Sequence, residues 1–304
     1  METPELFPTQ CAICRTLGNA TELYPANFDW QALNPAIFSA RRLPDRIHYR
    51  MVKCNTCGLV RSDPIAKPEL LAQLYKESEF TYKTEVTDLK RTYGRYLAAL
   101  SRYGAHKQAL LEIGCGNGFF LEEALAQGYN AVFGVEPSQD AITRARPEIR
   151  QNIVCDIMRK GLFENEKFDV ICMFQVFDHI ADPVTLVEEC VRLLKPGGLL
   201  LILNHNIEAV SAKVLRERSP IIDIEHTYLY SPKTISRLLR SQGIFIRDIA
   251  AAFNTFSLQY LVSLVPFWAP AKKGLLSFLS RSSTGRIRMS VPLGNMVVIA
   301  QRPG

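Results

Sequence analysis

The sequence predicts an α/β fold, a parallel and doubly wound sheet preceded by a small four-cysteine module. Three observations carry that expectation. Short apolar runs at 109–113, 131–135, 169–173 and 199–203 suit strands buried on both faces. Helix signals fall between them: Asp182-Pro183 opens a helix that Pro196-Gly197-Gly198 closes, and Ser231-Pro232 opens another that Gly243 closes. Ahead of both lie two CxxC pairs, Cys11/Cys14 and Cys54/Cys57.

Taken in order, residues 1–62 are rich in turn formers and form a zinc-ribbon-like module. The 39 residues between the pairs (15 to 53) exceed the usual ribbon spacing. Four thiolates suit a tetrahedral zinc with no open position, a structural and not a catalytic site. Residues 63–106 read as a helical linker or lid, with Leu70, Leu71, Leu74 and Tyr75, then Tyr93, Tyr96, Leu97 and Leu100, at spacings of three and four. Residues 107–304 carry the sheet, whose last two strands are expected at 245–250 and 296–300 around an insertion at about 254–294.

With 304 residues, 47% hydrophobic and 22% charged, the chain can bury a large core and is neither disordered nor fibrous. Its net charge of +6 favours anionic partners without choosing among them. No basic stretch followed by an apolar run opens the sequence, and the run at 258–271 is broken by Pro266 and Pro270, short of the roughly 20 residues that span a bilayer. The cysteine usage suits a reducing compartment, so a cytoplasmic location is expected.

The chemistry begins at Glu112-Ile113-Gly114-Cys115-Gly116-Asn117-Gly118, where a strand turns into a helix and glycines let a ligand approach the backbone. Phe119 stands where the dinucleotide fingerprint needs glycine or alanine, and the Lys-Ser/Thr of a phosphate loop is missing. The next strand ends in Glu136-Pro137, an acid placed to accept from both ribose hydroxyls of an adenosine ligand. A third unit ends in Asp156-Ile157, suited to an adenine amino group and the face of the base.

E-I-G-C-G-N-G, V-E-P, C-D-I, F-D-V-I-C-M-F-Q-V-F-D-H-I and L-K-P-G-G-L-L-L-I, in that order, resemble the class I S-adenosylmethionine-dependent methyltransferases. The resemblance implies a seven-stranded Rossmann-like methyltransferase sheet whose last strand, near 296–300, runs antiparallel. It also implies that Gly114, Gly116, Glu136, Asp156 and the Phe174-Gln175 loop surround S-adenosylmethionine. Asp178 stands where glutamate is commoner. The Asn/Asp-Pro-Pro-Tyr/Phe signal for DNA amino groups is missing after the fourth strand.

The cysteine pairs followed by K-C-N-T-C-G-L-V-R-S-D-P look like bacterial methyltransferases of sugar and polysaccharide pathways. That likeness implies a small or lipid-carrier-linked glycan acceptor, methylated on O or C. A ribosomal-RNA methyltransferase is the alternative, although nucleic acid is the less expected partner, and a non-catalytic cofactor-binding protein is a third reading. Glu225-His226 resembles the Glu-His of the sugar C-methyltransferases, where the histidine is the base. His179 is a second candidate, His205 a weaker third, and Tyr82 a candidate lid. The segment 256–288, apolar and then basic, is expected to form a substrate-facing flap or a peripheral contact with the inner membrane face.

Overall fold

A computed structural model describes residues 6–28, 34–38, 45–79, 86–264 and 269–304. The N-terminal region contributes five short strands: β1 (Leu6–Phe7), β2 (Ala20–Tyr24), β3 (Met51–Cys54), β4 (Val60–Ser62) and β5 (Ile65–Ala66). Helices α1 (Pro68–Lys76) and α2 (Val86–Ala99) follow, as the spacing of their apolar residues predicts. The first half of the large sheet is β6 (Ala109–Ile113), α3 (Phe119–Ala126), β7 (Ala131–Val135), α4 (Gln139–Thr143), α5 (Pro147–Arg150), β8 (Ile153–Val154) and β9 (Phe168–Phe174). The second half is α6 (Pro183–Leu193), β10 (Leu194–His205), α7 (Val210–Leu215), β11 (Tyr228–Leu229), α8 (Pro232–Ser241), β12 (Phe245–Ser257), α9 (Leu258–Leu264), α10 (Ala269–Arg281) and β13 (Arg288–Gln301).

Seven strands lie in the order β12-β13-β10-β9-β6-β7-β8, and β13 runs antiparallel to both neighbours. Burial on both faces explains the unbroken apolar runs. Leu111, Ile113, Ile171, Met173, Leu200, Ile202 and Val298 point to one layer. Leu110, Val170, Cys172, Phe174, Leu201, Leu203 and Val297 point to the other, against α2 and α3. The sheet is the seven-stranded α/β architecture expected.

Two local expectations need correction. Pro196-Gly197-Gly198 does not close α6, which ends at Leu193. The motif lies inside β10 and breaks its register, because Leu194 pairs with Phe168 while the next partners are Leu199 and Val170. Gly197 has a left-handed φ of 76°, and a Cβ on Gly198 would sit 2.9 Å from the Lys195 carbonyl, so the glycines serve a bulge. The last two strands are also far longer than expected. β12 and β13 stay paired out to Ser257 and Arg288, so much of the insertion is a β arm with α9 and α10 at its tip. Pairing persists because α2 supports the arm: Thr92 Oγ1 accepts from the Thr255 amide at 2.9 Å, and Tyr96 Oη from the Phe253 amide at 2.7 Å.

The N-terminal strands do not stand apart from the sheet that follows them. β2, β3 and β4 form an antiparallel sheet whose fourth strand is β11, from beyond β10. Cys11, Cys54 and Cys57 are buried in the same apolar cluster as Phe177, Val184 and Tyr230. No helix among the described residues is long and apolar enough to cross a membrane.

Candidate functional site

The glycine loop leaves β6 with three left-handed residues, Gly114 (φ 74°), Gly116 (53°) and Gly118 (72°). Space is as restrictive as backbone angle at two of them. A Cβ on Gly114 would collide with Val176, and one on Gly118 would lie 2.5 Å from Ile149. Four of the loop amides are already committed. Those of Gly114 and Cys115 donate to the Val135 carbonyl, that of Gly118 to the Cys115 carbonyl, and that of Gly116 to Glu136 Oε2 at 2.8 Å. The loop therefore offers a ligand its shape and side chains more than the row of unpaired amides a phosphate loop presents.

Glu136 also accepts from the Ser138 amide through Oε1 at 2.9 Å, which leaves each carboxylate oxygen a second lone pair for a ribose hydroxyl. Burial pushes its carboxyl up, against the pull of the Ser138 and Gly116 amides. Pro137 follows it at the strand end, half-buried. Glu112 is buried beneath the loop, its carboxyl held well above the ordinary value by burial and then by Glu136, and Glu112 Oε2 has no hydrogen-bond partner. Asn117 Oδ1 and Gln175 Oε1 are likewise buried and unbonded, as polar atoms are where a ligand completes the site. Asp156 accepts from the Ile157 amide at 2.8 Å and pairs with Arg159 at 2.9 Å, while Ile157 is 41% exposed and offers an apolar face to a base. Two expected residues point elsewhere: Cys115 packs its sulfur against Gly134, and the Phe174 ring stacks on Tyr93 at 4.1 Å in the core. Each contributes backbone to the loop that carries it.

The second half of the site gathers at the ends of β9 and β10. Asp178 is 0% exposed. Its Oδ2 accepts from His205 Nδ1 at 2.6 Å, and its Oδ1 lies 3.7 Å from His179 Nε2. His226 closes the group, its ring 4.9 Å from that of His179 and 4.7 Å from that of His205. Burial alone would raise the Asp178 carboxyl, but His205, His226 and His179 hold it well below the usual carboxylate range. Burial lowers the His226 imidazole in turn, against the attraction of Asp178. His226 is 6% exposed and its Nδ1 faces the Ile221 carbonyl at 2.9 Å. Glu225 is half-buried, and with burial it helps raise the Tyr75 phenol. Tyr82 lies outside the described residues.

Sequence reasoning missed three contributors. Tyr75, read as one apolar position of α1, puts its hydroxyl 2.9 Å from His179 Nδ1. Ser62, in β4, donates its hydroxyl to the His226 carbonyl at 2.8 Å and its amide to the Thr227 carbonyl at 2.9 Å. Asp178, noted only as a replacement for glutamate, is the hub of the cluster. A polar-tipped aromatic on a buried helix face was the one signal for Tyr75, and no local signal marks Ser62.

In the four-cysteine module one sulfur from each of Cys11, Cys14, Cys54 and Cys57 lies within 4.8 Å of the others, and Cys11 Sγ is 3.4 Å from Cys57 Sγ. A tetrahedron of Zn–S bonds of about 2.3 Å has edges of about 3.8 Å, so the donor set fits zinc in number, softness and span.

A family profile described as a methyltransferase domain matches residues 86–247, more than half of the chain. The ubiquinone biosynthesis O-methyltransferase of Pseudomonas aeruginosa is 26% identical over 212 residues, covering 64% of this chain and 89% of its own length. That of Coxiella burnetii is 28% identical over 152 residues, 46% of this chain and 64% of its own. Among solved structures, a chain from the complex between the Haloferax volcanii Trm112 methyltransferase activator and a methyltransferase has a TM-score of 0.50 at 20% identity. The match covers 70% of this chain and 90% of that one, a likeness of fold.

If the raised Glu136 carboxyl binds the ribose, protonating it at acid pH replaces an acceptor with a donor. Calorimetry should find S-adenosylmethionine affinity falling as the pH drops through that raised value. Glu136→Gln should bind roughly tenfold to a hundredfold more weakly at neutral pH, with a flat profile. Parallel profiles in the two proteins would remove Glu136 from the ribose site.

Proposed function

The chain belongs to the methyltransferase-domain family and is an S-adenosylmethionine-dependent methyltransferase, and on that premise we propose that it methylates a hydroxyl of a small acceptor brought against the histidine cluster. The observation that carries the proposal is the 2.6 Å bond between Asp178 Oδ2 and His205 Nδ1. A carboxylate accepts, so Nδ1 bears the proton and Nε2 keeps its lone pair, the tautomer a general base needs. His205 is 22% exposed on its side chain, whereas His226, the base expected from the Glu-His pattern, is buried with Nδ1 directed at a carbonyl. We therefore give the base role to His205 and a positioning role to Asp178.

In this reading S-adenosylmethionine supplies the methyl group from a sulfonium. The acceptor O–H proton passes to His205 Nε2 as oxygen forms its bond to the methyl carbon. The C–S bond breaks, and its electron pair leaves with S-adenosylhomocysteine. The names of the relatives, O-methyltransferases, favour oxygen as the methylated atom. We propose a sugar or glycan-precursor hydroxyl, on the four-cysteine and Glu225-His226 pattern, with a quinone-precursor hydroxyl as the second reading on those names. A labelled-methyl assay over both acceptor classes decides between them. His205→Gln should then keep its fold and cofactor affinity but lose about a hundredfold or more in turnover on whichever acceptor is methylated. Turnover within a few-fold of the parent would take the base role from His205.

We further propose a structural zinc on the four cysteines. Its loss should disturb β3 and β4, and through Ser62 the His226 loop. The double variant Cys54→Ser/Cys57→Ser should lose one equivalent of zinc by elemental analysis and lose turnover while binding S-adenosylmethionine within a few-fold of the parent. Full zinc retention would overturn the assignment.

A lipid-carrier-linked acceptor finds support in the arm. Leu275, Phe278, Ile287 and Met289 are exposed there, Phe278 by 63%, among Lys272, Lys273, Arg281 and Arg288. Trp268, Val265 and Phe267, expected in the same flap, lie outside the described residues. Co-sedimentation with anionic vesicles at low salt should fall several-fold in Phe278→Asp, as expected when apolar area and cations act together. A protein that stays in the supernatant would confine the arm to a wall of the site.

A further inference from the structure

We propose that Asp178, His179 and His226 form a second metal site, which takes a first-row divalent cation beside the cofactor pocket. One ligand atom from each residue lies within 4.8 Å of the others. Two neutral imidazoles and one carboxylate are a donor set for such ions that leaves coordination positions open, unlike the closed four-cysteine site.

Two independent features point the three groups at a common centre. The first is an orphaned acceptor: Asp178 Oδ1 is fully buried and has no hydrogen-bond partner, although Oδ2 of the same carboxylate is tightly bonded. A bare carboxylate oxygen in the interior is strongly unfavourable unless a cation or donor meets it. The second is the outer shell, because a ligating histidine hands its other ring nitrogen to a fixed partner. His226 Nδ1 faces the Ile221 carbonyl at 2.9 Å, so it carries the proton and Nε2 is the donor atom. His179 Nδ1 faces the Tyr75 hydroxyl at 2.9 Å, and Nε2 is the atom turned to Asp178 Oδ1 at 3.7 Å. That spacing exceeds a hydrogen bond and suits two ligands of one ion. His205 lies on the other carboxylate oxygen, outside the triad, so the cation and the proposed base share Asp178.

The role of the cation rests on the proposed acceptor site: an acceptor oxygen in an open coordination position would lose its proton more readily to His205. Binding of the ion does not depend on that reading. The test uses the full chain with the four-cysteine site loaded with zinc, titrated with Co2+ and followed by visible absorption. One further equivalent should bind, with ligand-field bands and no added thiolate charge transfer. His179→Gln should weaken that binding at least tenfold, and Tyr75→Phe by a smaller factor. His205→Gln should leave the stoichiometry unchanged. His179 is partly exposed, so its variant reads the site even if Asp178→Asn fails to fold. No second equivalent, or one that His179→Gln binds as tightly as the parent, overturns the proposal. Co2+ binding alongside normal turnover in His205→Gln would keep the metal and remove the base. No Co2+ binding with turnover lost in His205→Gln would do the reverse.

Discussion

The histidine cluster of this protein is organised around one buried charge, the carboxylate of Asp178. An ionised group with no solvent contact is stable only if other groups replace its water. Here they come from separate parts of the chain. His179 is its neighbour, His205 ends β10, and His226 belongs to the loop before β11. The Asp178 carbonyl accepts from the Thr227 amide at 2.9 Å, so main chain and side chain draw the same loop inward. Moving any of these segments would strand the charge, which ties the ends of β9 and β10 to the loop beyond them.

That loop is held from outside by the N-terminal module. Ser62 bonds the carbonyls of both His226 and Thr227, and β4 continues the contact by pairing with β11. Tyr75, on α1, reaches His179 from the same direction. The N-terminal module and the first helix therefore brace the histidine cluster, although neither lies within the stretch matched by the methyltransferase profile. The glycine-loop end of the sheet is built differently. The loop, Glu136 and Asp156 each follow the end of a strand of one sheet, and the amides of Gly114, Cys115, Gly116 and Gly118 are satisfied within the loop and the adjacent strand end.

The sequence by itself determined what depends on near neighbours. The bounds of β6 and β7 follow from apolar runs that must be buried on both faces, and they match residue for residue. The glycine loop was legible because left-handed angles and close approach leave no other residue. The acids at the strand ends were legible for a related reason, since in a parallel sheet every strand delivers its C-terminal residue to the same edge. The cysteine pairs announced themselves by spacing.

Tertiary structure decided the rest. Pro196-Gly197-Gly198 reads as a helix stop, yet pairing with β9 makes it a bulge inside β10. The alternation in β12 and β13 does not reveal that α2 will support them as an arm. Among three histidines of equal chemistry, only the fold sets that His179 and His205 stay partly exposed while His226 is buried with Nδ1 turned to a carbonyl. His205 lies 27 residues from Asp178, and Ser62 lies 164 from His226. Contacts over such distances leave no periodic trace in the chain. They are fixed when the sheet closes and a buried carboxylate must find its partners.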